Sequence, residues 1–506
     1  MPTFIERHTD KIRGVLSCFD RVVLTGTLPD LCHAEAMARS LGARNIRLVD
    51  YPRWAEPFRD EIRIHAEQVA QAHGLTIEFI RRGKTFRKED RIKALVAQRG
   101  DHPGLVHIFS AMEACPTYKP WHDKRSGRTF LTPTDAKCLH YYFYFIDPAL
   151  GLCYLRVPTW APFRLQFYCN GHSVLARQLQ RKGIPYTLLD NAFAEIADWT
   201  RAQTLADAWD PHRLHRQLDR IAATCCPVLR HVPAGVHWSC MQVEYATDVV
   251  FARQADFQPL YEALTHTAIH AVKPDQVATF LGRKLTGRYQ DELGNDFSTR
   301  IEGTRIKHHM GWAAIKLYDT FGLIARIECT ANDVSFFQHH RMVEHRDGTQ
   351  EFTLAPVRKS IYSLPVLREL LGAATHRYLA FLAAIADPRP GLRALEKIAT
   401  PVHADARSYR GFNLFHGPDL DLFRTILRGE FTISGFRARL LRPHLVGCSG
   451  ATLSRLLKRL RIHGLIKKIG KRYKYYLTTL GRTVATTALK LRELVVIPML
   501  NQPAAA

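Results

Sequence analysis

The stretch from Ser449 to Gly464 has the pattern of an amphipathic helix with a capping residue at each end. Serine is a preferred N-cap residue, and glycine is typical of the position just after a helix. The leucines share one helical stripe because they are spaced i, i+3, i+4 and i+7; they are Leu453, Leu456, Leu457 and Leu460. The opposite side carries a hydroxyl and two cations, Thr452, Arg455 and Arg459. Such a helix suits the major groove of DNA, although a solvated basic face on a packed helix gives the same pattern.

The segments around this helix predict a small basic domain. Helices are expected at 420–428 and 434–445, with a short strand at 431–433 between them. Two strands are expected at 465–469 and 473–477, joined by a turn in which glycine supplies the positive φ. Thr478 or Thr479 is expected to cap a last helix. From residue 424 to residue 493 there are 17 lysines and arginines against 2 acidic residues, which is more than half of the net charge of +24.

This order of elements resembles the winged helix-turn-helix of MarR-type repressors, in which LxxLxxxGLIxxxxxxxxYxLTxxG recurs. The pattern stands in this chain as Leu456–Arg461, Gly464-Leu465-Ile466, Tyr476-Leu477-Thr478 and Gly481. The resemblance implies that Thr452, Arg455, Lys458 and Arg459 face the groove, and that the wing contacts phosphates or the minor groove through Lys467, Lys468, Lys471 and Arg472. It also implies double-stranded DNA as partner, transcription regulation as role, and a homodimer as one arrangement open to the chain. Winged helices also dock proteins, but a domain this basic favours nucleic acid.

The whole-chain composition favours the same class of partner. An isoelectric point near 9.7 is typical of proteins that bind polyanions. No run of about eighteen apolar residues occurs, and the first residues lack the apolar core of a signal peptide, so we expect a cytoplasmic protein without a membrane partner. The 11 cysteines include no CxxC pair, which favours reduced thiols over disulfides or a structural zinc site.

The remaining residues are expected to form two further domains, because 506 residues are too many for one core. Up to residue 200, short β-branched runs alternate with helical patterns, as in the βαβ units of an α/β domain, and three later runs indicate an antiparallel extension. From 201 to 386, amphipathic helices and hairpin-like runs indicate an α+β domain. Residues 387–418 are rich in proline and glycine and are predicted as a linker before a winged-helix domain at 419–500. The expected fold class is therefore multidomain α+β.

Four carboxylates are candidates for catalysis. RNase-H-like nucleases and transposases carry an aspartate on their first strand because two metal ions need clustered carboxylates. Asp20 precedes the strand run 21–25, so capping or pairing with Arg21 is the competing interpretation. Glu244 and Asp248 are four residues apart and would share one face of a helix, although a surface acidic pair is the common outcome of such spacing. Glu328 is expected to share a side of a strand with Arg326.

The stretch 300–333 concentrates charged and aromatic residues on predicted strands. Lys316 and Tyr318 are expected on one side of their strand, facing the next strand as either a salt-bridge set or a phosphate or metal site. Arg300, Arg305, Lys307 and Lys316 are predicted as a second nucleic-acid surface, for single-stranded DNA or RNA.

Two functions follow from the sequence. The first is a DNA-binding protein of the regulator type, with no metal or cofactor, whose large front part also contacts nucleic acid. The alternative is a mobile-element nuclease or transposase-like enzyme that uses Mg²⁺ or Mn²⁺ at the four carboxylates and is targeted by the winged helix. The two differ in one structural respect, namely whether three of the carboxylates converge.

Overall fold

The computed structural model describes residues 3–81, 86–283, 297–386, 389–404, 407–445, 447–469 and 473–500. The chain is mixed α+β and divides into two compact units, Met1–Ala386 and Asp387–Ala506. In the described ranges, no helix combines the length and the apolar character needed to cross a membrane.

The first unit is built on one large sheet. Its strands are β1 (Ile12–Thr27), β2 (Glu78–Phe79), β3 (Gly104–Asp123), β4 (Arg128–Asp147), β5 (Gly151–Pro158), β6 (Leu165–Cys169), β9 (His237–Phe251), β10 (Phe297–Glu302), β11 (Arg305–Met310), β12 (Ala313–Thr320) and β13 (Ile324–Ala331). The 11 strands are ordered β10-β11-β12-β13-β9-β1-β6-β5-β4-β3-β2. Two small hairpins accompany them: β7 (Tyr186–Leu189) with β8 (Ala192–Ile196), and β14 (Gln338–Glu344) with β15 (Gln350–Pro356).

Helices pack on both faces of the sheet. They are α1 (Phe4–Arg7), α2 (Ala34–Gly42), α3 (Tyr51–Ala72), α4 (Lys88–Arg99), α5 (Gly171–Arg181), α6 (Trp199–Asp207), α7 (Pro211–Cys225), α8 (Gln254–His270), α9 (Pro274–Phe280) and α10 (Leu364–Ala386). Alternate residues of β1 enter different cores, since successive side chains of a strand point to opposite faces. Phe19 packs in the core that contains α3, α7 and α10, whereas Cys18 packs with residues of α5 and α6. All eight residues of β13 are buried.

The expectation of βαβ units in residues 1–200 is wrong. Every neighbouring pair in the sheet is antiparallel except β2 and β3, which pair in parallel over two residues. The expected boundary near residue 200 also separates no compact units, because β1 pairs along its length with β9. The antiparallel extension is confirmed as β4, β5 and β6.

The second unit begins where the linker was expected, but elements form in the part of that segment that the structure describes. They are α11 (Arg389–Ala399) and a hairpin of β16 (Val402–Ala404) and β17 (Arg407–Tyr409), and Ile398 and Phe412 enter the core of this unit. The further elements are α12 (Gly417–Ile426), α13 (Gly429–Ser434), α14 (Ala438–Leu441), α15 (Gly450–Ile462), β18 (Ile466–Ile469), β19 (Lys474–Leu477), α16 (Thr479–Leu491) and α17 (Ile497–Leu500).

The long basic helix of this unit follows the sequence pattern closely. The Ser449 hydroxyl caps α15 by accepting a hydrogen bond from the Thr452 backbone N–H at 3.2 Å. Thr478 caps α16 in the same way. The strand expected at 431–433 is wrong, since those residues lie in α13; the short third strand is instead a bridge between Phe436 and Tyr475. The turn expected at Gly470 and Lys471 lies outside the described residues.

Candidate functional site

Acidic side chains from three adjacent central strands face the same side of the sheet. Glu244 and Asp248 lie on β9, not on a helix, and an even spacing along a strand gives them a common face. The register places Asp248 opposite Arg326 of β13 and places Glu328 opposite Ala246. The expected common side for Arg326 and Glu328 is therefore confirmed, and it is the side of Glu244 and Asp248.

Asp20 reaches the same face through the alternation of β1, since Leu16 and Cys18 are paired with Asp248 and Ala246. It lies within the strand, which corrects the expectation that it precedes one. Phe19 pairs with Tyr245 and Arg21 pairs with Glu244, so Asp20 is an extra residue between two consecutive pairs. Such a β-bulge interrupts the alternation of the strand, so Arg21 faces the same side as Asp20. Asp20 therefore lies beside Glu244 on this face.

Asp20, Glu244 and Glu328 form the carboxylate trio of this site. One oxygen from each lies within 4.8 Å of the others, and the side chains are only 10%, 16% and 3% exposed. Burial, followed by the charge of Glu328, raises the pKa of Glu244. Carboxylates this close repel one another unless cations or protons stand between them. The described residues contain no other group of three acidic, histidine or cysteine side chains with this geometry.

Lys316 and Tyr318 of β12 contact the trio from one side. The Lys316 ammonium is hydrogen-bonded to Glu328 and lies 3.5 Å from Glu244. The Tyr318 hydroxyl donates to Glu328 at 2.6 Å. Burial alone would lower the pKa of Lys316. The negative charges of Glu328 and Glu244 raise this pKa by more than burial lowers it, so the net shift is upward. Lys316 therefore stays charged and offsets part of the negative charge of the trio.

Asp248 has a different role, because it belongs to a buried ion pair. Arg326 donates to both oxygens of Asp248 at 2.6 Å and to the backbone oxygen of Asn191 at 2.8 Å. Burial acts to raise the pKa of Asp248, but Arg326 and His172 hold it at about 2. Asp248 is held by Arg326 and lies outside the converging carboxylates, which corrects the expectation that it joins a metal-binding set.

His172 links Asp20 to this ion pair. It lies in the first turn of α5, which Asn170 caps, and its ring nitrogens lie 3.1 Å from Asp20 Oδ1 and 3.5 Å from Asp248 Oδ2. Burial lowers the pKa of His172, but Cys18, Asp20 and Asp248 raise it well above its ordinary value. The buried Nδ1 is nevertheless not aligned for a hydrogen bond with Asp20. His172 was not predicted from the sequence; the available signal was a capping asparagine, Asn170, two residues before a histidine and directly after a strand.

The predicted basic surface forms a continuous row on the same face. Arg300 pairs with Lys307, Lys307 pairs with Lys316, and Lys316 pairs with Glu328 on four consecutive strands. Since paired residues of antiparallel strands lie side by side, three cations follow one another up to the trio. Arg305 lies outside this register row, with its guanidinium 5.0 Å from the centre of the Tyr318 ring. Burial and then the charges of Lys316 and Arg300 lower the pKa of Lys307.

In the second unit, most of the predicted contact residues are accessible. Thr452 and Arg455 of α15 are exposed, as is Lys467 of β18, while Lys458 and Lys468 are half-buried. Lys471 and Arg472 lie outside the described residues.

Arg459 is the exception, and its predicted place in the groove is wrong. Its side chain is 6% exposed and donates to both oxygens of Asp419, at 2.7 and 3.0 Å. It also donates to the backbone oxygens of Arg410 and Gly411 and stacks on Phe412. The segment predicted as a linker packs on this side of α15 and buries the arginine.

Comparison of the chain with protein-family models, with curated proteins and with solved structures gave no match. What the protein does must therefore follow from the chemistry of its own residues.

Proposed function

We propose that the first unit is a divalent-metal-dependent enzyme that acts on the phosphodiester bonds of nucleic acid. The second unit, in this proposal, is a winged-helix domain that binds double-stranded DNA. The observation that carries the enzymatic part is the convergence of Asp20, Glu244 and Glu328 from three strands. Of the two functions that the sequence left open, this geometry favours the nuclease or transposase-like enzyme.

The trio suits Mg²⁺ or Mn²⁺ in donor type, size and charge. Carboxylate oxygens are the ligands that these ions prefer, and an octahedral Mg²⁺ holds opposite ligands roughly 4.2 Å apart. The three carboxylate oxygens lie within 4.8 Å of one another, so a movement of the side chains by about half an ångström would bring them to the spacing of Mg²⁺ ligands. Lys316 lies against Glu244 and Glu328, and His172 lies against Asp20; a divalent ion would add to this compensation of the three negative charges. An ion held by Asp20, Glu244 and Glu328 would supply Lewis-acid stabilisation of a phosphoryl group.

The surroundings of the trio favour a polyanionic substrate. The row of Arg300, Lys307 and Lys316 ends at Glu328, so phosphate groups would be attracted to the edge of the trio. Cations that are directly opposite one another destabilise a sheet, and a bound polyanion removes that cost.

The DNA-binding role of the second unit rests on its exposed basic helix. α15 buries Leu453, Leu457 and Leu460 and exposes Thr452 and Arg455, and the β18–β19 hairpin follows it as a wing would. In a winged helix of this kind, phosphate contacts set the affinity and its salt dependence, and the exposed helix face sets sequence preference.

A second candidate is a regulator that binds DNA without cleaving it. The observation that favours it is the pairing of Lys316 with both Glu244 and Glu328, which offsets the carboxylates without a metal ion. In that case, the trio would be a structural ion-pair network at the centre of the sheet.

A cleavage assay distinguishes the two candidates. The full chain is incubated with labelled single-stranded, duplex and supercoiled DNA and with RNA, in Mg²⁺, in Mn²⁺ and in EDTA. We expect metal-dependent products that Glu328→Gln and Asp20→Asn abolish. The matched control is Glu369→Gln, which changes a glutamate that is 72% exposed and far less constrained. Absence of metal-dependent products on all four substrates, with duplex binding intact, contradicts the enzyme and supports the regulator.

A further inference from the structure

Arg21 lies across the trio from the row of cations. It is paired with Glu244 on β1, whereas Lys316 approaches Glu244 and Glu328 from β12. Its guanidinium carbon lies 5.6 Å from the centre of the Tyr168 ring, and its buried Nε donates no hydrogen bond within the described residues. A buried donor without an acceptor costs free energy and indicates a place for an external acceptor.

The cations on the other side are similarly short of acidic partners. Among the described residues, no ion pair involves Arg300 or Lys307. Each is instead paired across the strands with another cation, Arg300 with Lys307 and Lys307 with Lys316. Neighbouring strands are about 4.8 Å apart, so the row from Arg300 to Lys316 spans roughly 10 Å across the sheet. The carboxylate trio is thus flanked by cations on both sides, along a line that crosses the strands obliquely, since Glu328 is paired with Ala246 and Arg21 with Glu244, two residues away along β9.

We propose that this line is the path of a single-stranded polynucleotide, which crosses the sheet from β10 to β1 with Arg300 and Lys307 binding phosphates on one side of the trio and Arg21 binding a phosphate on the other. The proposal rests on the proposed function, in that the phosphate over the trio would be the reacting one. It adds the substrate class and the direction in which the strand lies.

The depth of the trio favours a single strand over a duplex. The Glu328 and Asp20 side chains are only 3% and 10% exposed, so a phosphate must descend between the flanking cations to reach them. A flexible single strand can bend locally into such a site. Duplex DNA, with a persistence length of about 150 base pairs, resists that deformation.

The test is a binding measurement in EDTA, where no cleavage interferes. Affinities of the full chain for a labelled single-stranded DNA 20-mer, the same sequence as RNA, and the corresponding duplex are measured over a series of salt concentrations. The variants are Arg300→Ala/Lys307→Ala and Arg21→Lys. Lys124→Ala/Lys137→Ala is the matched control, since Lys124 in the β3–β4 turn and Lys137 on β4 are both exposed and make no ion pair in the described structure.

For Arg300→Ala/Lys307→Ala we expect about tenfold weaker binding of single strands and a log–log salt slope smaller by about 1.4, or 0.7 for each lost phosphate contact. Arg21→Lys, which keeps the charge but loses Nε, is expected to weaken single-strand binding by a few fold. The duplex affinity and the Lys124→Ala/Lys137→Ala control should stay within about twofold of the parent. Equal affinity for DNA and RNA strands would show recognition through the phosphates alone, and a preference for one would show which strand the face prefers; both support the proposed path.

Two results overturn the inference. One is unchanged single-strand binding in Arg300→Ala/Lys307→Ala; the other is an equal loss of single-strand and duplex binding, which would assign this face to duplex DNA. Calorimetric measurement of Mn²⁺ binding by Arg300→Ala/Lys307→Ala distinguishes failure of the proposed path from failure of the proposed metal site. A variant that binds Mn²⁺ but has parental single-strand affinity refutes the path and leaves the metal site standing.

Discussion

Lys316 and Glu328 face each other across β12 and β13, and the Lys316 ammonium contacts the Glu328 carboxylate while lying 3.5 Å from Glu244. One lysine therefore offsets two of the three carboxylates that we propose as metal ligands. Lys316 and a bound divalent ion would both neutralise Glu244 and Glu328. The stabilisation that one of them provides should therefore depend on whether the other is present.

Lys316→Met should make the protein both less stable and more responsive to metal. Without the ammonium, Glu244 and Glu328 are left buried and uncompensated, and we expect the free energy of unfolding to fall by about 2 to 3 kcal/mol in EDTA. Mn²⁺ should then raise the melting temperature of the variant more than that of the parent. The control is Lys124→Met, an exposed lysine. An equal Mn²⁺ response in parent and variant would contradict the coupling.

The Asp248–Arg326 pair should make the first unit sensitive to acid. The pKa of Asp248 is about 2 in the folded chain, below the ordinary aspartate value of about 3.9, so its contribution of about 2 to 3 kcal/mol is present above pH 5 and is lost as the pH falls through 2. Asp248→Asn should lower the free energy of unfolding at pH 7 by about 3 to 5 kcal/mol and flatten its dependence on pH between 5 and 2. Urea unfolding across this pH range measures both effects, and Asp101→Asn, which changes an exposed aspartate, is the control. If the free energy of unfolding of Asp248→Asn fell between pH 5 and pH 2 as steeply as that of the parent, Asp248 would not be the source of the acid sensitivity.

His172 should act in the opposite direction of pH. Its folded pKa is raised, so the stability it contributes is fully present below the ordinary histidine value of about 6.5 and is lost as the pH rises through the folded value. We expect the difference in free energy of unfolding between the parent and His172→Gln to shrink as the pH rises above about 6.5. The difference is the useful quantity because burial lowers the pKa of other histidines, such as His308 to about 4. A difference that grows with pH would show that His172 is neutral.

Two arginines of α15 should separate DNA binding from folding. Arg455→Ala removes an exposed cation, so we expect weaker duplex binding, a smaller salt slope by about 1, and an unchanged melting temperature. Arg459→Ala leaves Asp419 buried without its partner, so the second unit should lose about 3 kcal/mol or more of stability. Calorimetric melting and duplex titration of both variants provide the test. If Arg459→Ala lost DNA binding but kept its stability, Arg459 would contact the DNA groove, as the sequence predicted, rather than stabilise the fold.

The sequence predicted pairings that depend on local periodicity. Lys316 and Tyr318 do share a side of β12, and Glu244 and Asp248 share a face, because a spacing of four gives a common face on a strand as well as on a helix. Ser449 was recognisable as a cap because its hydroxyl precedes a regular helical pattern.

What the sequence did not predict depends on contacts between distant segments. Asp20 joins the trio only because β1 pairs with β9, more than 200 residues away. The alternation of helices and strands could not distinguish βαβ units from an antiparallel sheet with such long-range pairing. Arg459 faces inward because a proline- and glycine-rich segment packs there, and periodicity within α15 carries no information about that neighbour.

Binding of Mn²⁺ to the full chain, measured by isothermal titration calorimetry, tests most directly whether the trio is a metal site. We predict saturable binding at neutral pH that Glu328→Gln abolishes and that Glu369→Gln leaves within about twofold. The affinity should fall as the pH is lowered, beginning above the usual glutamate range, because protons compete at Glu244, whose pKa is raised. No Mn²⁺ binding, or equal binding by the parent and Glu328→Gln, would contradict the account.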